Sequence, residues 1–150
     1  MGNNNIHVYL GGAFEAKTRL MGIRDVLETI PGVKVVGTWL NQPSDDGVGL
    51  NEGEDTLVEK ATEYAVRDLE EVYGADLLIL DTIQTNDRGG KDTEFGAALA
   101  SGQTTWIVGP RRNVFQRLAD KRFESWEPAI EYLKAGGIEE WWYEDSEAQA

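Results

Sequence analysis

The chain has 150 residues, 41% of them hydrophobic and 27% charged, which suits one compact domain with a real core and leaves little room for two. Lys plus Arg is 14 and Asp plus Glu is 27, a formal charge of -13; this speaks against polymeric nucleic acid and anionic membranes, which both need a basic footprint, while small nucleotides stay open because a few cations or a helix N-terminus can hold them. With no Cys and one His, disulfides, a thiol nucleophile, thiolate metal sites and a multi-histidine metal centre are excluded, and the lack of a membrane-length apolar run or a signal-peptide pattern at the N-terminus predicts a soluble, cytoplasmic protein.

Residues 6–10 (Ile-His-Val-Tyr-Leu) are β-rich and stop at Gly11-Gly12. Leu20, Ile23, Val26, Leu27 and Ile30 recur at helical spacing over 15–30, and Pro31-Gly32 ends that period. Residues 33–40 read as a second strand, and the Asn-, Asp-, Gly- and Pro-rich stretch 41–53 as a loop. Leu57, Ala61, Tyr64, Ala65, Leu69 and Val72 predict a helix over 54–73, stopped by Gly74. The near-continuous apolar run Ala75–Asp81 is what a strand buried on both faces of a parallel sheet needs. A polar loop at 82–92, a helix over 93–101 and a strand over 104–108 follow, then a short helix at 113–119 and a last one at 126–135. Trp39, Trp106 and Trp126 are expected in the core, and His7, inside a strand, is expected to be structural. The acidic segment 138–150 carries Trp141, Trp142 and Tyr143.

Strand and helix alternate throughout, which predicts a single α/β domain over 1–137 with a doubly wound, mainly parallel sheet, followed by an acidic aromatic tail. Ligands of such sheets bind outside the carboxyl ends of the strands, near a switch in strand order. That rule selects Gly11–Glu15, Asp81–Thr93 and Gly109–Asn113.

The second of these places holds the sharpest chemistry. A glycine-rich loop leads from Asp87 through Gly89-Gly90 to Asp92 and Glu94, at the start of a predicted helix. Acidic residues are favoured there by the helix dipole, and Asp92 reads equally as an N-cap. The same dipole favours an ionised Glu94, the form a carboxylate nucleophile requires. The loop is no Walker A motif, because Asp92 follows Gly90-Lys91, and Gly11-Gly12 lacks the G-x-G-x-x-G dinucleotide pattern. Asp68, Asp81, Asp87, Asp92 and Glu94 cluster near the predicted strand ends. Paired carboxylates do nucleophile and general-acid work on glycosidic bonds, and they also hold divalent cations. Tyr9 reads either as a core tyrosine or as the hydroxyl that orients a carboxylate. Asn113 either caps the next helix or binds a substrate hydroxyl, and Arg111 and Arg112 either are solvated or neutralise a phosphate.

Val8-Tyr9-Leu10-Gly11-Gly12-Ala13-Phe14 resembles the opening strand and loop of the nucleoside 2-deoxyribosyltransferase family. Arg67-Asp68-Leu69 with Gly74-Ala75-Asp76, the run Asp92–Ala100, and Val108–Phe115 resemble its middle, its nucleophile helix and its later loop. The resemblance spans roughly residues 6–134, in order. It implies a flavodoxin-like or Rossmann-like sheet, no cofactor, and transfer of 2-deoxyribose between nucleobases by double displacement. Carried over, Glu94 is the nucleophile and Tyr9 holds its carboxylate. Asp68 and a second acid, Asp87 or Asp92 with the alignment favouring Asp87, contact the base and deliver its proton. Gly11, Gly12, Phe14, Asp92, Asn113 and Arg111 line the substrate, and no metal ligand is assigned. The partners implied are nucleosides or nucleotides and nucleobases, within a homo-oligomer whose subunits share the site. The opening loop departs from the family's Gly-Pro-Phe type, and two arginines at 111–112 exceed what a nucleoside needs. A hydrolase acting on 2′-deoxynucleoside 5′-monophosphates and a non-catalytic nucleotide-binding protein of the same fold are the alternatives.

Overall fold

A computed structural model describes residues 5–41, 58–84 and 89–137. Five parallel strands form one sheet in the order β2-β1-β3-β4-β5: β1 is Ile6–Gly12, β2 Val33–Val35, β3 Leu77–Asp81, β4 Thr104–Val108 and β5 Lys121–Phe123. The helices are α1 (Lys17–Leu27), α2 (Val58–Tyr73), α3 (Gly90–Ser101) and α4 (Trp126–Tyr132). This is the doubly wound α/β architecture that the alternation of elements predicts.

All five residues of β3 are buried, as the unbroken apolar run requires of a central parallel strand. Leu77, Leu78, Ile79 and Leu80 are fully buried with Val8, Leu10, Trp106 and Ile107, and each such aliphatic side chain contributes roughly 1.5–3 kcal/mol by leaving water. Trp39, Trp106 and Trp126 all lie in the core.

Several boundaries differ from the sequence expectation: the helix expected over 15–30 is α1, Lys17–Leu27, after a 3-10 turn at Phe14–Ala16, and the one expected over 126–135 is α4 followed by a π-helical segment at Leu133–Gly137. The strand expected over 33–40 ends at Val35, and Thr38–Asn41 form a 3-10 turn instead. Gly37 brings this segment against the Tyr9 ring, where a Cβ would lie 3.3 Å from ring carbon Cε2. Trp39 then tucks inward and donates its indole N–H to the Leu10 carbonyl at 2.8 Å. The short helix expected at 113–119 is a 3-10 segment, Val114–Leu118, and the short edge strand β5 follows it unannounced, because Lys121-Arg122-Phe123 has no apolar run. The helix expected from residue 93 begins three residues earlier, at Gly90. Gly89 precedes it with φ 83° and Asp92 sits inside the first turn, so the N-cap reading of Asp92 is wrong.

The connection after β1 passes outward to β2 and the one after β3 passes the other way to β4. The strand order therefore switches between β1 and β3, whose carboxyl ends, Gly12 and Asp81, pair in register. On one face α2 packs against α3. On the other, Arg19 of α1 and Trp126 of α4 meet on Asp81.

Candidate active site

The site lies at this switch, on the face covered by α2 and α3. Tyr9 is fully buried in β1, and its hydroxyl donates to Glu94 Oε2 at 2.7 Å. The core reading and the carboxylate-orienting reading of Tyr9 thus describe one side chain. Alternation along β1 returns Gly11 to the same face. Glu94 Oε1 lies over it, 3.4 Å from where a Cβ would stand. Among the described residues, Oε1 accepts no hydrogen bond.

Helix α2 brings Asp68 to the same place. Its Oδ1 accepts from Arg67 Nε at 3.1 Å and Nη2 at 2.8 Å, and Oδ2 has no donor among the described residues. One turn on, Glu71 accepts from the Thr38 backbone N–H at 3.1 Å and hydroxyl at 3.0 Å. This bond ties α2 to the turn that holds Trp39.

Three acids and a phenol facing one another make ionisation costly. Burial, above all, raises the Glu94 carboxyl from 4.5 to about 8; the Tyr9 hydrogen bond and the Arg67 charge oppose it, and Asp68 and Glu71 add to it. Burial likewise raises Asp68, against the hydrogen bonds and charge of Arg67. Tyr9 is raised by burial and then by Glu94. Burial therefore opposes the ionisation of Glu94 that its place near a helix start was expected to favour. Because α3 begins at Gly90, Glu94 stands beyond the first turn, where the helix dipole has faded. Burial between β1 and α2 decides its protonation instead.

The other candidates divide. Asp81, fully buried, faces away from Glu94 and is engaged by Arg19 at 2.9 and 3.3 Å, by the Trp126 indole at 2.7 Å and by the Ile83 backbone at 2.9 Å. Its role is to join α1, β3 and α4. Asp92 accepts from Gln116 Nε2 at 3.3 Å and lies 3.4 Å from Lys91 Nζ, which docks the start of α3 onto the loop after β4. Gly12 is on the α1 face, beside Leu20 and Asp81, and Phe14 is half-buried in the turn that follows. The Asn113 side chain accepts from the Gln116 backbone at 3.2 Å, the capping role. Arg112 donates to the Thr82 and Ile83 carbonyls at 3.0 and 3.1 Å, which tethers the loops after β3 and β4, and Arg111 is exposed. Asp87 and the aromatic tail lie outside the described residues. The sequence reading assigns no role to Arg67, Glu71 or Gly37. The i, i+4 spacing of Arg67 and Glu71 around Asp68 was the available signal for the first two.

No protein-family model and no curated protein matches the sequence. Solved structures do. A 2-deoxyribosyltransferase of Bacillus psychrosaccharolyticus is 22% identical with a TM-score of 0.66, covering 84% of this chain and 91% of its own. A 2-deoxyribosyltransferase of Leishmania mexicana is 15% identical with a TM-score of 0.59, over 87% and 97%. A CMP N-glycosidase of Clostridium botulinum is 14% identical with a TM-score of 0.49, over 85% and 97%. The chain has the fold of the first two.

Proposed function

We propose that the protein is a nucleoside 2-deoxyribosyltransferase, which cleaves the N-glycosidic bond of a 2′-deoxynucleoside and passes the deoxyribose to a second nucleobase. One observation carries this reading. A buried carboxyl, Glu94, is held through one oxygen by Tyr9 and presents its other oxygen at the switch point of the sheet, with Asp68 beside it.

In the first displacement Glu94 Oε1 attacks the anomeric carbon. The C1′–N bond breaks, its electron pair goes to the base, and the base nitrogen takes the proton from Asp68. In the second, a nitrogen of the incoming base attacks C1′, the ester to Glu94 breaks, and the proton of that nitrogen returns to Asp68. Two carboxyls on opposite sides of an oxocarbenium-like centre are the general requirement of such retaining chemistry. Asn113, at the mouth of the loop after β4, meets sugar hydroxyls through its amide N–H groups. Asp87 assists the leaving base.

The two acids act as one pair holding a single proton between them. The reactive form has Glu94 ionised and Asp68 protonated. Burial favours the opposite placement in the free protein, so Tyr9 and a bound sugar's hydroxyls supply the hydrogen bonds that stabilise the Glu94 carboxylate. The plateau of kcat/KM then covers the singly protonated pair. It falls on the acid side as the second proton binds, and above about 8 as the last proton leaves.

A homo-oligomer belongs to this reading. Val114 (71% exposed), Phe115 (65%) and Leu118 (65%) form an apolar ridge beside Asn113, of the kind that marks an interface. Light scattering is expected to give a mass of two subunits or more; a monomer at working concentration rejects this part.

The test of the reaction is incubation with 2′-deoxyinosine or thymidine, with and without adenine or cytosine, followed by chromatography. A new deoxynucleoside that needs the acceptor base, and is lost in Glu94→Ala, supports the proposal. Free base without a new nucleoside points to hydrolysis, with deoxynucleoside monophosphates as the next substrates. Failure to turn over either set rejects catalysis on these substrates.

A further inference from the structure

Arg67 and Asp68 are adjacent on a helix, and adjacent helical residues do not share a face. The arginine nevertheless bends across to Asp68 and places both Nε, at 3.1 Å, and Nη2, at 2.8 Å, on the single oxygen Oδ1. It is held there from both sides. Its guanidinium carbon lies 4.6 Å from the centroid of the Tyr64 ring, and Nε lies 4.0 Å from Glu71 Oε1. The side chain is 29% exposed and that of Asp68 21%, so the contact sits at the inner edge of the helix rather than in free solvent. This is not how a solvated helix-surface pair behaves, which gains little and wanders.

We propose that Arg67 is a positioning residue of the site: it clamps Asp68 by Oδ1, so that Oδ2 is presented to the leaving base on the side of Glu94. The inference rests on the reaction proposed above and adds to it a residue that touches neither the sugar nor the base. A fork that grips one carboxylate oxygen fixes the rotamer of the acid and leaves the other oxygen for the substrate.

The clamp also sets the charge balance. Among the described residues, the groups facing the Asp68–Glu94 pair are Tyr9 from β1 and Arg67 and Glu71 from α2, with Tyr64 of α2 against Arg67. Arg67 is the cation among them, and it lowers both carboxyls against the rise that burial imposes. Burial works against its own charge, but Asp68 and Glu71 more than compensate and raise the guanidinium further, so it stays protonated throughout.

Arg67→Met and Arg67→Lys separate clamp from charge. The methionine variant is expected to lower kcat by about tenfold or more with a smaller change in KM, as loss of orientation does, and to move both limbs of the pH profile to higher pH. The lysine variant keeps the charge and loses the fork, so the limbs return towards their original position while kcat recovers only in part. An unchanged kcat in Arg67→Met overturns the proposal. A lowered kcat with unmoved limbs and a matching loss of thermal stability also overturns it, in favour of a merely structural role. Carboxyl titration by NMR in protein labelled with carbon-13 needs no turnover. Upward shifts of Asp68 and Glu94 in Arg67→Met support the clamp even where the wild type proves inactive on deoxynucleosides, and unshifted titrations reject it whatever the reaction is.

Discussion

In the proposed reaction Glu94 serves reactivity at the expense of stability. Its carboxyl is raised from 4.5 to about 8 in the folded protein, so folding disfavours ionisation. For a group raised in this way, stability is fully present below about 4.5 and is lost progressively as pH rises through about 8. Replacement by Gln, which needs no ionisation, removes that dependence. Glu94→Gln is therefore expected to be inactive, by about a thousandfold or more, and yet to melt a few degrees higher than the wild type at pH 9, with the gap closing at pH 4; thermal scans across pH check both signs. Tyr9→Phe removes the hydrogen bond that lowers Glu94. The alkaline limb of kcat/KM should then move up, and the plateau should fall by a comparable factor, because less of the singly protonated pair has its proton on Asp68. A limb that moves down refutes the role given to Tyr9. Tyr9, Asp68 and Glu94 were legible as candidates because each sits in a short motif at a strand end or on a patterned helix. The protonation of Glu94 was not legible, since it is set first by burial between β1 and α2, then by Tyr9, 85 positions away, and by acids on α2. Arg67 was legible only within the Arg67-Asp68-Leu69 motif, because its fork on one oxygen of Asp68 depends on side-chain geometry that no spacing reports.

Elements bring these residues together through two close crossings that depend on glycine or on a buried charge. Gly109, after β4, has φ 118°, and a Cβ there would stand 2.6 Å from Thr82 Oγ1 and 2.9 Å from the Ile83 nitrogen. The loops after β3 and β4 can approach this closely only with hydrogen at that position. Gly109→Ala is expected to cost about 3 kcal/mol, from backbone strain and overpacking together, read as a fall of roughly 6–12 °C in melting temperature. The second crossing is Asp81, whose oxygens hold Arg19, Trp126 and the Ile83 backbone. Asp81→Asn leaves the Arg19 cation with a neutral partner. Because Arg19 is itself 35% exposed, solvent offsets part of the loss, and about 2 kcal/mol of destabilisation is expected in denaturant unfolding. At this scale the central strands and helices could be read from hydrophobic period, as the buried run Leu77–Leu80 shows most plainly. β2 was read too long because Val36 and Trp39 are β-formers, whereas the chain turns at Gly37 against the Tyr9 ring and Thr38–Asn41 form a 3-10 segment. β5 was missed because Lys121-Arg122-Phe123 has no apolar run: it pairs with Trp106–Val108 through its backbone and packs a single ring, Phe123, on Trp106. Asp81 read as part of a catalytic cluster, since which face of β3 it occupies depends on strand register rather than on local sequence.

For the whole molecule, a charge of -13 on 150 residues sets up a self-repulsion that the compact state must tolerate and the unfolded chain relieves. Salt screens such exposed charges over a Debye length of about 10 Å at 0.1 M and about 3 Å at 1 M. Raising sodium chloride across that range is therefore expected to increase the melting temperature, and a midpoint that falls with salt contradicts a dominant role for net charge. The same field acts on what approaches the site. A deoxynucleoside is neutral, so its kcat/KM should change little with ionic strength. A deoxynucleoside monophosphate is an anion approaching an acidic protein whose candidate site carries Asp68 and Glu71, and its association is slowed at low salt and recovers as salt is added. Arg112 is tied to the Thr82 and Ile83 carbonyls, so of the two arginines after β4 it is Arg111, exposed at the loop, that could offset this repulsion. Measuring kcat/KM for both substrate classes against salt, in the wild type and in Arg111→Ala, thus separates the two chemistries by a property of the whole surface. A flat response with the nucleoside and a rising one with the nucleotide fits a transferase for neutral substrates. A nucleotide rate that falls with salt, and collapses in Arg111→Ala, places a phosphate at the mouth of the site and favours the hydrolase.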